Sequence, residues 1–251
     1  RKHRIPWART EKGRLQTDSV YFRGQAKTHP QLEPLYQLRE TLGELRLNSL
    51  VVGPDGRNRT SLQPFKSVTS RNQPSNAKYI FGPSAWVRGL IKPPEGKAVA
   101  YIDWSQQELG IAAVLSGDTA MQEAYMSGDP YLAFARMAGA VPEDATKQSH
   151  PKERGAYKVC MLAVQYGMAK WSLATQLGIP TVGGENLLQR HKWTFPQYWK
   201  WTEEQVDIAT LRGFYPTRLG WTRTLKQHGA PGRPDNPRSL ANFPVQANGA
   251  E

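Results

Sequence analysis

The sequence predicts an α+β chain, mostly helical with a few short strands. Three observations predict it. Segments with helically spaced apolar residues recur from residue 32 onward. One run, Lys97 to Trp104 (KAVAYIDW), is rich in β-branched and aromatic residues and reads as a buried strand. A Leu219-Gly220 turn lies between two segments of hairpin character.

Each element follows from local signals. Residues 1–30 are polar and basic with little periodicity. Apolar residues at 32, 35, 38, 42, 45 and 47 predict a helix over Leu32 to Leu50. Gly53-Pro54-Asp55-Gly56 is a turn. Pro, Ser and Asn through 57–95 predict extended loops with short strands, closed by Pro93-Pro94-Glu95-Gly96. After the KAVAYIDW strand, a helix runs from about Gln106 to Leu115 and stops at Ser116-Gly117-Asp118. Short helices fit 119–126 and 130–139. Pro151 suits a first helical position, with His150 as N-cap, Glu153 in the first turn and the helix continuing to Gln165. Residues 185–210 read as helix broken at Pro196. Gly213 to Leu225 is the hairpin, 229–237 a loop, and a last helix starts near Pro237.

Composition narrows the functions. The chain has 251 residues, enough for one large domain or two small ones with a real core. Eight Trp and seven Phe argue against disorder. One cysteine, Cys160, excludes a disulfide framework and a multi-thiolate zinc site, and is compatible with a reducing compartment. No apolar run approaches the ~18–20 residues of a membrane span. The net charge of +12 points to a polyanion, most often nucleic acid, or to nothing more than solubility. Its distribution says more. Residues 1–100 hold 18 basic and 7 acidic residues, 101–150 hold 2 and 7, and 151–251 hold 13 and 7. Basic flanks around an acidic centre suit a protein that grips phosphates and holds a cation between them. A solvated acidic helix face gives the same count.

Three groups of residues carry candidate chemistry. Asp103 ends the expected strand, where its carboxylate could bind a hard cation or cap the helix, and Glu108 follows inside that helix. Arg154, Lys158, Leu162 and Tyr166 are spaced by four, so they share one broad helix face. Arg154 and Lys158 stand about 6 Å apart along the axis, from ~1.5 Å rise per residue, which suits neighbouring phosphates. A solvated basic edge has the same pattern. Arg238, Asn242 and Gln246 are again spaced by four; all three donate, and the minor groove offers acceptors in every correct base pair. Arg71 has the same capacity, and for each a structural hydrogen bond is the alternative.

Taken together, these motifs resemble the polymerase module of DNA polymerase I-like enzymes, family A. Asp103-Trp104-Ser105-Gln106-Gln107-Glu108-Leu109 resembles the first palm motif, and Arg154-x-x-x-Lys158-x-x-x-Leu162-x-x-x-Tyr166-Gly167 the fingers helix. Arg238-x-x-x-Asn242-Phe243-Pro244-Val245-Gln246 resembles the palm segment that contacts primer–template. Thr69-Ser70-Arg71 with Asn76 is similar to the Thr-Gly-Arg element before the palm, and Arg9 to Gly13 with Arg57 fit the thumb-to-palm approach more loosely. Trp104 and Gln107 look like bacteriophage-type members.

The resemblance implies a right-hand palm and fingers with part of the thumb base. Residues 1–68 would be the thumb base, 69–117 the first part of the palm, 118–228 the fingers and 229–251 the returning palm. It implies a DNA-directed DNA polymerase acting with two Mg²⁺ ions on primer–template DNA and dNTPs. Asp103 and the Trp104 carbonyl would hold metal. Arg154 and Lys158 would clamp the triphosphate, with Lys158 protonating the leaving pyrophosphate. Ser105, Gln106, Glu108, Tyr131, Leu162 and Tyr166 would complete the dNTP site, Glu108 excluding a 2′-hydroxyl and Tyr166 stacking near the templating base. Arg71, Asn76, Arg238, Asn242 and Gln246 would bind DNA. A monomer in the cytoplasm of a bacterium or a phage-infected cell is implied, with no membrane partner.

The sequence departs from the family pattern in places. Leu162 replaces an aromatic residue, Tyr131 stands where His is common, and Gly110 replaces Arg. The chain ends at Glu251 before a His-Asp-Glu motif, which implies a fragment that synthesises little by itself. A single-subunit RNA polymerase is disfavoured by Glu108. A non-catalytic DNA-binding module remains the alternative from another class.

Overall fold

The first helix opens at Asp18, whose side chain accepts from the Tyr21 N–H. In this computed structural model, residues 5–44, 50–64, 66–74, 79–81, 85–226 and 235–251 are described. The chain divides into two compact units, Arg1–Gln63 with Gln73–Ala100, and Pro64–Asn72 with Tyr101–Glu251.

The first unit holds α1 (Ser19–Thr28) and α2 (Glu33–Glu44). Helix α1 falls where the sequence showed little periodicity. It buries only Phe22 and Ala26, one turn apart, which is too short a stripe to register as a period. Phe22 meets Trp7 edge-on at 5.3 Å and stacks near Tyr36 of α2 at 6.2 Å. The turn at 53–56 forms as expected, closed by Gly56 N–H donating to the Gly53 carbonyl. Arg59 grips both Asp55 oxygens, at 2.8 and 2.6 Å, and holds that carboxyl well below its usual range. An isolated bridge, Val52 to Asn58, and a 3₁₀ turn over Ala85–Leu90 are the regular features described within 50–95.

The second unit is built from α3 (Gln107–Ser116), α4 (Thr119–Met126), α5 (Pro130–Met137), α6 (Pro151–Gln165), α7 (Lys170–Leu177), α8 (Thr181–Thr194) and α9 (Pro196–Arg212). There follow β1 (Phe214–Pro216), β2 (Thr222–Thr224) and α10 (Pro237–Ala250). Proline stands at the first turn of α5, α6, α9 and α10, where its missing N–H costs nothing. β1 and β2 pair antiparallel, Tyr215 opposite Arg223. The core gathers Phe134, Phe195, Met121, Met161, Leu173 and Cys160, all fully buried. Burial pushes the Cys160 thiol up to about 12, so it stays neutral and unreactive. Phe134 lies 4.6 Å from the Tyr157 ring and 5.1 Å from His191. Asp118 is buried and caps two helices: one oxygen accepts from Met121 N–H in α4, the other from Tyr198 N–H in α9, both at 3.0 Å.

One expectation fails clearly. Lys97 to Trp104 is not a strand, and its apolar members are exposed, Ile102 at 86 % and Trp104 at 76 %. A strand needs a neighbour to satisfy its backbone groups. Among the described residues the β1–β2 pair forms the whole sheet content, and no strand runs beside this segment. His150 does precede α6, but its side chain makes no capping bond; its ring pairs with Ser149 Oγ at 2.8 Å. Most of the expected 229–237 loop lies outside the described residues.

Candidate active site

The start of α3 brings the first group together. Gln106 adopts a left-handed conformation (φ 45°) immediately before the helix, and Ser105 Oγ donates to its Oε1 at 2.5 Å. Tyr125 from α4 donates to the Ser105 carbonyl at 3.2 Å. Gln107 reaches the Gly249 carbonyl at 2.9 Å and ties α3 to α10. Asp103 and Trp104 precede this turn and are exposed. The Asp103 carboxylate makes no hydrogen bond or ion pair among the described residues. No cluster of three metal-ligating side chains occurs among them either. Gly110 has a structural reason: a Cβ there would lie 2.9 Å from the Tyr125 ring, so the site has no room for a side chain.

Glu108 is the meeting point. It points inward with its side chain 19 % exposed, and one oxygen forms an ion pair with the Arg71 guanidinium. Its other oxygen accepts from the Tyr166 hydroxyl at 3.4 Å. Burial, and then the Glu108 charge, raise the Tyr166 phenol above its ordinary value. Residues from two other sequence motifs, Arg71 and Tyr166, thus converge on this one carboxylate.

Helix α6 presents Lys158, Leu162 and Tyr166 on its exposed side, while Tyr157, Cys160, Met161 and Val164 face the core. Tyr131 from α5 packs beneath the basic residues, its ring centre 5.5 Å from the Arg154 guanidinium and 5.7 Å from the Lys158 ammonium. Burial raises its phenol too. Arg154 donates through Nε to Asp129 at 2.5 Å. The other Asp129 oxygen caps α5 through the Leu132 N–H at 3.2 Å. This aspartate was missed: before Pro130 it reads only as a helix cap, and its second bond joins residues 25 apart in sequence. The Lys158 ammonium has no carboxylate partner among the described residues.

Asn236 caps α10 through the Arg238 N–H at 3.0 Å. Arg238 is exposed and lies over Gly167, where φ is +62° and a Cβ would fall 2.9 Å from Arg238 Cγ. The end of α6 therefore meets the start of α10 at a position only glycine fills without strain. Arg238 and Asn242 line a hollow of about 540 Å³ that also touches Gly167. Gln246 lies two turns beyond, half-buried. Asn76 lies outside the described residues.

A sequence model described as DNA polymerase family A matches residues 48–251, and the chain belongs to that family. It is similar to the thermostable DNA polymerase I of Thermus aquaticus, 27 % identical over 259 residues, which is 97 % of this chain and 31 % of that protein. The thermostable DNA polymerase I of Thermus filiformis is 29 % identical over 263 residues, 98 % of this chain and 31 % of that protein. The chain thus spans about a third of the length of these curated relatives. Among solved structures it is similar to the POL domain of Pol1 from M. smegmatis, in complex with DNA primer-template and dNTP. That likeness has a TM-score of 0.76 and 25 % identity, over 97 % of this chain and 45 % of the other.

Proposed function

We propose that the chain belongs to a template-directed DNA polymerase that joins deoxynucleotides to a primer 3′-hydroxyl. The observation that carries this reading is the convergence of Arg71, Glu108 and Tyr166 beside the Arg154–Lys158 face of α6, in a family A chain. Residues 69–117 and 229–251 act as palm, 118–228 as fingers and 1–68 as thumb base, in a monomer working in the cytoplasm.

Arg154 and Lys158 grip the triphosphate, whose charge must be neutralised for phosphoryl transfer. Tyr131 supports both cations from below. The unpaired Lys158 ammonium can deliver a proton to the leaving pyrophosphate. Glu108, held on both oxygens, cannot swing away and so excludes a ribose 2′-hydroxyl. Tyr166 offers a ring to the templating base. Arg71, Asn76, Arg238, Asn242 and Gln246 contact the primer–template. Asp103 and the Trp104 carbonyl would hold Mg²⁺. The fit is reasonable, because Mg²⁺ is usually held by one or two carboxylates with water and substrate phosphates completing its shell, and Asp103 is exposed and uncommitted. When bound, the metal supplies charge neutralisation and activation of the attacking oxygen.

Primer extension by the full-length protein, with and without Asp103→Ala, tests the reading. Synthesis should fall by orders of magnitude, and unchanged extension would sink the assignment.

A further inference from the structure

A second polar hollow, of about 470 Å³, opens between α9, the hairpin and α10, and no residue of α6 lines it. Arg212 ends α9 and Arg218 sits in the hairpin turn; both line the hollow, and no Asp or Glu does. Neither guanidinium has a hydrogen-bond or carboxylate partner among the described residues. Arg223 on the same hairpin differs: it is buried and satisfied by Asp235 at 2.7 Å and by Ser239 at 3.0 Å. Glu251 is the acid by the turn, but its oxygens are taken by the Leu219 and Trp221 N–H groups at 3.2 and 2.9 Å.

The surrounding polar groups are arranged to leave donors open. The Tyr215 hydroxyl donates to Gln205 Oε1 at 2.8 Å, which turns the Gln205 amide nitrogen to other acceptors. Asn248 accepts from the Arg218 N–H at 2.9 Å and donates to the Pro244 carbonyl at 2.6 Å, fixing the hairpin to α10. Two guanidiniums without a carboxylate partner and one amide, in a lining that holds no acidic side chain, form an anion site. Phe214, 43 % exposed, and the ring of Tyr215 also line it.

We propose that this hollow binds the phosphodiester backbone of a single DNA strand. Cations beside aromatic rings are the combination that holds single strands without reading sequence. The two arginines come from different elements, so they suit successive phosphates better than one compact ion.

The test titrates the chain with labelled oligothymidylate across a salt series. Each phosphate contact on a single strand contributes about 0.7 to the slope of log affinity against log salt. The pair Arg212→Gln with Arg218→Gln should therefore lower that slope by about 1.4 and weaken binding several-fold at low salt. The Arg→Lys pair keeps both charges and should restore the slope. Both guanidiniums are exposed, so thermal melts of the variants should match the parent chain. An unchanged slope overturns the proposal. So does loss of inorganic tripolyphosphate binding with the slope intact, which would assign the hollow to a free polyphosphate. Mg²⁺–dNTP binding should be unaffected by these substitutions; its absence from the parent chain would count against the polymerase reading and leave this one standing.

Discussion

At the scale of single residues, Glu108 and Lys158 carry opposite kinds of commitment. Glu108 is fully engaged, by Arg71 on one oxygen and Tyr166 on the other. Lys158 has no hydrogen-bond or carboxylate partner among the described residues, and its ammonium lies over the Tyr131 ring. Glu108→Ala should therefore admit ribonucleotides, seen as a rise in the ratio of rNTP to dNTP incorporation. An unchanged ratio would remove Glu108 from sugar selection. Lys158→Ala should weaken Mg²⁺-dependent dNTP binding about 10- to 100-fold, since a charge-assisted bond is worth ~1.5–3 kcal/mol. Equal binding by both proteins would instead favour a module that holds DNA without catalysis. The spacing of Arg154, Lys158 and Tyr166 was legible because one helix fixes it. The partners of those residues were not: Arg71 and Glu108 stand 37 positions apart, and Asp129 reaches Arg154 from another helix. Contacts of that kind depend on how elements pack, which no local pattern encodes.

At the scale of elements, punctuation was the most readable signal. Pro151 and Pro237 each open a helix where the sequence says they should, and the expected break at Pro196 falls between α8 and α9. The 97–104 segment shows the limit, because a strand is a property of two segments and the sequence of one cannot supply the other. Helix α8 begins at Thr181, four residues before the stretch expected to be helical, and its first turn carries Gly183 and Gly184, which are poor helix formers. Gly184 is there for packing: a Cβ would fall 2.5 Å from the Lys170 carbonyl of α7. Asp118 is the element-scale residue with the largest expected effect. Asp118→Ala removes two helix caps and strands two buried N–H groups, for a loss of about 2–4 kcal/mol in chemical denaturation. A loss within experimental error would mean that water replaces both bonds.

At the scale of the whole molecule, acid stability should depend on His191. Burial pulls its imidazole down to about 3, and the Trp199 indole donates to its Nδ1 at 3.0 Å, which requires that nitrogen unprotonated. The rings of Phe134, Phe195, Tyr198 and Trp199 surround it. The folded protein therefore resists a proton that the unfolded chain takes up near 6.5. Its stabilising share is complete above about pH 6.5 and is lost as pH falls toward 3, at up to about 1.4 kcal/mol per pH unit. His191→Gln keeps an acceptor for Trp199 but cannot titrate. Its stability should fall less steeply through that window than that of the unaltered chain, and parallel curves would contradict the assignment.

The buried carboxylate of Asp118 has a kinetic consequence as well. The amides of Met121 and Tyr198, far apart in sequence, both end on oxygens of this one group. Neither can be released to solvent by local fraying alone unless the carboxylate gives up a ligand. In deuterium exchange the two amides should report a single opening event, with matched protection that rises and falls together with denaturant.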